Sequence, residues 1–368
     1  MSASFGSWLA TRSAGGIEIA PGVSTPRSFG DPRREHLATR RAGGLFDFSF
    51  MQCAEIEGSR ALECIEALQT RRLAALRVGR IAYTLLLRED GSVRNDATVW
   101  RLAADRFWVF TGRRPDHAAL VDFAAGFDIA VPPLADRAVV AIQGDISRRT
   151  LERALPGVDL AALAYYGFLE ARFAEKQCWI ARLGYSGETG YEIVISENAG
   201  PELWDELLAD GIDAGLVECG FDAIDSLRIE AGHILFTHEL ASPVTPLELG
   251  FGRLVDFVGR DFVGARALGR MRSEAPARRL IGLLPADAQG PDAQEEAEAG
   301  VPAALADGTA VMTSACQSPL LERRIGIGFA AAADASPGSM VTLRGGGRAR
   351  IARLPFYDPP KVLARRGR

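Results

Sequence analysis

The chain has 368 residues, of which 48% are hydrophobic and 24% charged, with a formal net charge of −5 at pH 7. This length is typical of about two or three domains, whose hydrophobic cores are large enough to be stable without disulfides or bound metals. The charge balance gives no global electrostatic reason to expect nucleic acid or an anionic membrane as a partner.

The N-terminal region, up to about residue 42, has no sustained hydrophobic period and is rich in Gly, Pro, Ser and Arg. The plain interpretation is a solvated lead-in that drapes over the first domain, including the basic run between Asp31 and Arg41. The region lacks the basic-then-apolar order of a secretory signal, and no segment has about 18 uninterrupted apolar residues. We therefore expect a cytoplasmic protein without a membrane span.

From Leu45 onward, hydrophobic residues recur at either helical or strand spacing. They first predict a helix over 61–68, strands over 81–88 and 93–102 joined by an Asp-Gly turn, and a strand over 106–111. Farther along they predict helices over 117–127, 148–154, 201–208 and 221–232, and strands over 138–143, 171–183, 191–195, 325–329, 340–343 and 349–354. Hairpins interleaved with helices indicate an α+β fold, and the last short strands indicate a small all-β module.

The cysteines and histidines do not form a metal-binding motif. No cysteine pair has CxxC spacing, and the chain has no HExxH sequence. His233 and His238 are five residues apart, so on a helix they would point in different directions. We predict no metal site, and we expect the cysteines to be buried or inert thiols.

Asp96 interrupts a segment, residues 93–102, that otherwise has strand composition. Aspartate is among the residues least suited to the interior of a strand. The residue therefore lies either at a solvated sheet edge or in a position that points into a cleft.

Glycines recur at every third position between residues 184 and 190. Their spacing does not match the dinucleotide-binding fingerprint, so we do not expect a phosphate site. Tyr185 and Glu192 flank this turn. A carboxylate in an apolar strand can accept two parallel N–H donors from a planar heterocycle such as an aminopyrimidine. The alternative is an ordinary hairpin with an exposed Glu192.

Arg228 and Glu230 are embedded in the apolar helix pattern of residues 221–232. The charge of Arg228 interrupts this apolar pattern. Two alternatives stay open, a surface cation and a simple ion-pair partner of Glu230.

Several short motifs occur along the chain in one order. They are FDFS (46–49), YTLLL (83–87), ND (95–96), GYSGETGYE (184–192), DSLRIEAG (225–232), TPLELG (245–250), DFVG (261–264), TSACQSP (313–319) and LPFYDP (354–359). Together they resemble the glycine-cleavage T-protein (aminomethyltransferase) family over roughly residues 44–360. The resemblance implies an enzyme that uses tetrahydrofolate.

For the fold, the resemblance implies a three-domain cloverleaf with a central folate channel and a C-terminal small β-barrel. The boundaries that we predict after a lead-in of residues 1–43 are a discontinuous folate-binding domain (44–140 and 225–272), an α+β domain (141–224) and the barrel domain (273–368).

For the site, the resemblance implies that Asp96 is the catalytic carboxylate near the N5 and N10 atoms of folate. Tyr83 would line the same channel. Tyr185 and Glu192 would hold the pterin, and Arg228 would supply a further polar contact at that end. A nearby carboxylate can orient the donor, stabilise developing positive charge or receive a proton.

The chain departs from the family pattern at three places. Phe50 stands where most T-proteins have histidine, residues 69–72 read QTRR in place of LTND, and residues 111–114 read TGRR. The four added arginines could receive an acidic donor or the glutamate tail of folate, or they could form a solvated face.

These departures favour a demethylase that moves a methyl group from an N-, O- or S-methyl small molecule to N5 of tetrahydrofolate. One alternative is a true T-protein that takes an aminomethyl group from a lipoyl carrier protein. The LPFYDP motif also resembles the folate domains fused to sarcosine and dimethylglycine dehydrogenases, which leaves room for an oxidase partner. The alternative from another class is a non-enzymatic folate-binding assembly factor.

Overall fold

The computed structural model describes residues 4–20, 23–112, 114–132, 136–286, 291–358 and 362–365. The chain forms two compact units. Unit 1 consists of Met1–Gln52, Leu134–Ala231 and Tyr357–Arg368, and unit 2 consists of Cys53–Pro133 and Gly232–Phe356. The predicted boundaries of three domains stay a prediction.

The strands are numbered in chain order. They are β1 (Gly16–Ala20), β2 (Val23–Pro26), β3 (Gly43–Asp47), β4 (Gln52–Glu57), β5 (Arg80–Leu87), β6 (Val93–Arg101), β7 (Arg106–Thr111), β8 (Arg137–Gln143), β9 (Phe168–Phe173), β10 (Lys176–Ala181), β11 (Gly190–Ser196), β12 (Leu216–Cys219), β13 (Arg278–Pro285), β14 (Thr309–Ser318), β15 (Arg323–Ala331), β16 (Met340–Leu343) and β17 (Arg348–Ala352).

The helices are short, and many carry an apolar face that covers a sheet. They are α1 (Phe5–Ala10), α2 (Pro32–Arg41), α3 (Ala61–Leu68), α4 (Arg114–Ala125), α5 (Ser147–Ala154), α6 (Gly200–Gly211), α7 (Phe221–Glu230), α8 (Ala265–Met271) and α9 (Ala293–Glu298). None of the helices in these described ranges combines the length and the apolar character that crossing a membrane requires.

Unit 1 is built on a six-stranded sheet in the order β12-β3-β8-β11-β10-β9. The β12–β3 pair is parallel and the other pairs are antiparallel. The core on one side of this sheet joins Val140 and Ile193 of the strands to Leu151 of α5 and Trp204 of α6. Strand β11 is interior to the sheet, and all of its residues before Ser196 are buried.

Unit 2 contains a four-stranded sheet in the order β4-β7-β6-β5 and a closed barrel in the order β13-β15-β14-β16-β17. The barrel interior is apolar and includes Leu283, Met312 and Val341. The predicted α+β class and the predicted C-terminal barrel are therefore confirmed.

Two sequence interpretations of local structure differ from the observed fold. The region expected to be a solvated lead-in contains α1, β1, β2 and α2, and its Phe5 and Leu9 are fully buried in the core of unit 1. These elements are short and interrupted by Gly and Pro, so they leave no period to detect. The predicted strand over 171–183 is a hairpin of β9 and β10, which turns at Ala174 with φ 47°.

Candidate functional site

Tyr83 and Asp96 form a hydrogen-bonded pair on one face of the four-stranded sheet in unit 2. Asp96 lies opposite Leu85 in the β5–β6 ladder, and Tyr83 lies opposite Thr98, so the two side chains are diagonal neighbours. The Tyr83 Oη donates to Asp96 Oδ2 at 2.8 Å. Strand β6 lies between β5 and β7, and the alternative of a solvated sheet edge for Asp96 is therefore wrong.

Burial is the main influence on the Asp96 carboxyl. Desolvation raises the pKa of Asp96, the hydrogen bond from Tyr83 partly offsets this by favouring the ionised form, and the nearby charge of Asp116 raises the pKa further. The Asp96 carboxyl group therefore holds its proton to a higher pH than an exposed aspartate does.

Asp116 is a carboxylate near Asp96 that sequence reasoning missed. It lies in the first turn of α4, is fully buried, and accepts hydrogen bonds from Asn95 Nδ2 at 2.6 Å and Arg94 Nε at 3.3 Å. The Asn95 Oδ1 accepts the backbone N–H of Asp96 at 2.9 Å. Asp116 thus fixes the residue that precedes Asp96. In the sequence it looks like an ordinary acidic residue at a helix N-terminus.

Glu192 lies in the middle of the unit 1 sheet. Its partners in the two adjacent strands are Ala141 of β8 and Ala181 of β10, both of which have small side chains. Glu192 is 4% exposed, so the alternative of a hairpin with an exposed glutamate is wrong. Within the described ranges, no side chain or backbone group is hydrogen-bonded to its carboxyl oxygens. Burial alone raises the pKa of Glu192 to about 8.

The glycines of the loop before β11, residues 184–190, make room for a buried glutamine. A Cβ atom at Gly184 or Gly190 would lie 1.9 Å or 2.3 Å from amide atoms of the Gln143 side chain. The Gln143 Oε1 accepts a hydrogen bond from Ser186 Oγ at 2.8 Å. Gly187 has φ +86°, and a Cβ there would lie 2.8 Å from Ala231 Cβ. Close packing against Gln143 and Ala231 thus explains the glycine spacing. We call residues 184–190 the glycine loop.

Tyr185 and Arg228 also belong to unit 1. Tyr185 lies in the glycine loop and is half-buried. Arg228 is fully buried in the last turn of α7, and its Nε donates to Asp225 Oδ1 at 2.8 Å. The alternative of a surface cation is therefore wrong. Glu230, the other partner considered for Arg228, is hydrogen-bonded to Arg40 at 2.8 Å.

Arg40 is the second residue that sequence reasoning missed. It lies in α2, within the basic run that looked solvated, yet its side chain is 2% exposed. The i, i+4 spacing of His36 and Arg40 places both on one helix face, and this spacing could have indicated a buried polar face. Their common partner Glu230 follows much later in the chain, so no local pattern predicts the pairing.

The residues that depart from the family pattern are only partly described. Arg113 and the side chain of Arg114 lie outside the described residues. Arg72 is exposed, and its backbone N–H donates to Asp256 Oδ2 at 2.7 Å. Phe50 is half-buried, and its ring meets Phe48 at 5.9 Å and Phe221 at 6.3 Å, both edge to face.

Replacing Glu192 with glutamine is expected to remove a pH dependence of stability. The folded pKa of Glu192 is about 8 against a usual value of 4.5, so only the folded state keeps this proton between these pH values. The stability that the proton supports is complete below about pH 4.5 and is lost as pH rises through 8, by up to roughly 1.4 kcal/mol per pH unit. Urea unfolding from pH 5 to 9 measures this slope.

The matched control is Glu170→Gln, at an exposed glutamate on β9 of the same sheet. It should leave the slope unchanged. A Glu192→Gln variant with the wild-type slope would show that the buried carboxyl does not titrate in this range.

The chain is similar to known proteins over most of its length. Residues 6–259 match the family model described as the GCVT N-terminal domain. The aminomethyltransferase of Streptomyces avermitilis is 35% identical over 353 residues, which cover 92% of this chain and 93% of that protein. The aminomethyltransferase of Bacillus subtilis is 30% identical over 351 residues, covering 91% and 93%.

A solved structure also resembles this chain over nearly its whole length. The crystal structure of glycine cleavage system aminomethyltransferase T from Bartonella henselae matches with a TM-score of 0.82 at 26% sequence identity, covering 96% of this chain and 97% of that one. Sequence and fold therefore point to the same group of proteins.

Proposed function

The chain belongs to the aminomethyltransferase family and is a transferase, and we propose that it transfers an aminomethyl carbon to tetrahydrofolate as glycine-cleavage T-proteins do. The observation that carries the proposal is the buried Glu192 carboxyl group between Ala141 and Ala181. A buried carboxyl group with no partner among the described residues is costly, and a ligand that donates hydrogen bonds would remove this cost.

Tetrahydrofolate fits this carboxyl group. The aminopyrimidine edge of its pterin presents two parallel N–H donors, which suit the two oxygens of one carboxylate. We assign Glu192 to this contact, Tyr185 to the pterin as well, and Arg228 to a further polar contact at that end. When bound, tetrahydrofolate supplies the nucleophilic nitrogen that takes up the one-carbon group.

The Tyr83–Asp96 pair is assigned to the reaction itself. Asp96 as a carboxylate would orient the donor, stabilise positive charge that develops on it, or receive a proton. Tyr83 holds Asp96 Oδ2 through its hydroxyl group at 2.8 Å. The protein mainly supplies alignment, which is worth on the order of 7–11 kcal/mol when the reacting geometry is held.

The demethylase favoured by the sequence departures becomes the second candidate. The relatives at 35% and 30% identity are both aminomethyltransferases, and they support aminomethyl transfer better than a general methyl transfer. One observation still favours a methyl donor, the apolar contact of Phe50 with Phe48 and Phe221 where most T-proteins have an imidazole. The non-enzymatic alternative has no support, because the relatives are enzymes.

The product of the reaction distinguishes the two candidates. The purified chain is incubated with tetrahydrofolate and an aminomethylated lipoyl carrier protein, and the folate product is identified by mass spectrometry. We expect methylenetetrahydrofolate together with free ammonia. Methyltetrahydrofolate formed from a small N-, O- or S-methyl compound, with no product from the carrier, would overturn the proposal in favour of the demethylase.

Replacing Tyr83 with phenylalanine is expected to move the acid limb of the pH–rate profile to higher pH. The hydroxyl group of Tyr83 lowers the pKa of Asp96 against the larger effect of burial, so its loss raises that pKa. Asp96 then becomes protonated, and inactive, at a higher pH than in the wild type. The measurement is kcat/KM as a function of pH.

The control is a variant in which the acid limb should move in the opposite direction. Asp116→Asn removes a negative charge that raises the pKa of Asp96, so the same limb should move to lower pH. If both variants keep the wild-type limb, Asp96 is not the group that sets it.

A further inference from the structure

The guanidinium group of Arg40 forms hydrogen bonds through all three of its nitrogen atoms within unit 1. Its Nε and Nη2 donate to Glu230 Oε2 at 3.0 Å and 2.8 Å, and Nη2 also donates to Leu227 O at 3.2 Å. Its Nη1 donates to Ser186 O at 2.9 Å and Glu188 Oε1 at 2.8 Å. All five N–H donors of the arginine are therefore satisfied.

The surroundings of Arg40 are closed and charged. The ring of Tyr357 lies 3.9 Å from Arg40 Cζ, and the backbone N–H of Tyr357 donates to Glu230 O at 2.9 Å. Glu188 and Glu230 are both buried. The second oxygen of Glu230 lies 3.1 Å from His36 Nε2, one turn earlier in α2. Buried charges persist only when they are paired in this way, so the geometry of the cluster is tightly determined.

The partners of Arg40 flank the residues proposed to bind the pterin. Ser186 follows Tyr185 directly, and Glu188 lies two residues later in the glycine loop. Leu227 and Glu230 lie on either side of Arg228 in α7. Arg40 therefore bonds to the backbone next to Tyr185 and to the backbone next to Arg228. A single planar group spans two elements that are separate in the chain.

We propose that Arg40 is a positioning residue that fixes the glycine loop to the last turn of α7, so that Tyr185 and Arg228 are held at one spacing for the pterin. The role rests on the function proposed above. Arg40 itself touches no ligand, since its donors are all used within the protein. Its loss should weaken tetrahydrofolate binding more than it slows the reaction of bound folate.

Arginine is required because a lysine cannot reproduce the arrangement. An ammonium group has three donors at one atom, whereas the contacts of Arg40 lie around a planar fork and one face stacks on Tyr357. Arg40→Lys keeps the charge and loses the link between the two elements.

The matched control lies in unit 2. Arg278 is also 2% exposed, donates from Nε to Glu248 Oε1 at 2.8 Å and from Nη1 to Val301 O at 2.8 Å, and stacks on an aromatic ring, that of Phe329. Arg278→Lys therefore removes the same kind of buried fork in a place to which no folate contact is assigned.

The experiment compares wild type, Arg40→Lys and Arg278→Lys by urea unfolding, by calorimetric titration with (6S)-tetrahydrofolate under reducing conditions, and by kcat at saturating folate. Both variants should lose stability. Only Arg40→Lys should raise the Kd for tetrahydrofolate, by about 10- to 100-fold, with kcat within about threefold of wild type.

Equal folate affinity in wild type and Arg40→Lys would overturn this inference while leaving the proposed function intact. A wild-type chain that does not bind tetrahydrofolate would instead contradict the proposed function, and this inference with it. If Arg40→Lys does not fold, Glu188→Gln is the deciding variant, because it weakens the contact of Arg40 with the glycine loop and leaves the contacts with α7 in place. It should raise the Kd about 3- to 10-fold. An unchanged Kd in that variant would also overturn the inference.

Discussion

Replacing Asp96 with asparagine is expected to lower kcat by roughly 10²- to 10⁴-fold, the usual contribution of one acid–base group. The amide has almost the same shape and can still accept the hydrogen bond from Tyr83, which is 2.8 Å long in the wild type. It carries no negative charge and cannot receive a proton. The Kd for tetrahydrofolate, measured by titration, should stay within about threefold of wild type.

The control for this experiment is Asp90→Asn, an exposed aspartate in the turn between β5 and β6. It makes the same chemical change in the same hairpin and should leave kcat unaltered. An Asp96→Asn enzyme with a kcat close to that of wild type would remove Asp96 from the reaction.

The Glu192→Gln variant is expected to lose at least about 100-fold in affinity for tetrahydrofolate. A hydrogen bond to a charged group contributes roughly 1.5–3 kcal/mol, and the proposed contact contains two of them. An amide offers one acceptor and two donors, so it cannot accept both N–H groups of the pterin. Calorimetric titration at pH 8 gives the Kd values.

The pH dependence of binding adds a second outcome to the same experiment. Because the pKa of Glu192 is about 8 in the free protein, its carboxyl group must lose a proton before it can accept two N–H donors. Wild-type affinity should therefore rise by up to about tenfold per pH unit between pH 6 and 8 and level off above 8. Glu192→Gln should show no such rise, and Glu170→Gln should follow the wild type. Wild-type affinity in Glu192→Gln would exclude the carboxyl group from the folate site.

The sequence predicted the fold best where local signals were strong. Helix α3 (Ala61–Leu68) and strand β7 (Arg106–Thr111) have the predicted bounds, because each has a clear period between polar turns. The all-β character of the C-terminal module followed from short strands separated by glycine turns, whereas its closure into a barrel was implied by the family resemblance. The N-terminal elements were not predicted, because they are short and because the core that buries Phe5 and Leu9 is made by distant parts of the chain.

The candidate residues show the same division. Asp96 could be found because an aspartate inside a strand is unusual wherever it points. The burial of Glu192 could not be read from its strand, since β11 is buried on both faces and shows no alternation. Arg40 was missed because its partners lie 146 to 190 residues away. The roles assigned to the individual residues in folate binding and catalysis stay predictions.

Unit 1 is assembled from the two ends of the chain and a central piece, residues 1–52, 134–231 and 357–368. Residue 357 must therefore be translated before the Tyr357 ring can stack on Arg40. Until then, the charged groups of α2 that are buried in the folded protein stay exposed to water. Synthesis adds about 5–20 residues per second, so this state lasts for seconds. Nascent chains arrested before Tyr357 should consequently be far more sensitive to proteases between residues 184 and 190 than the released protein.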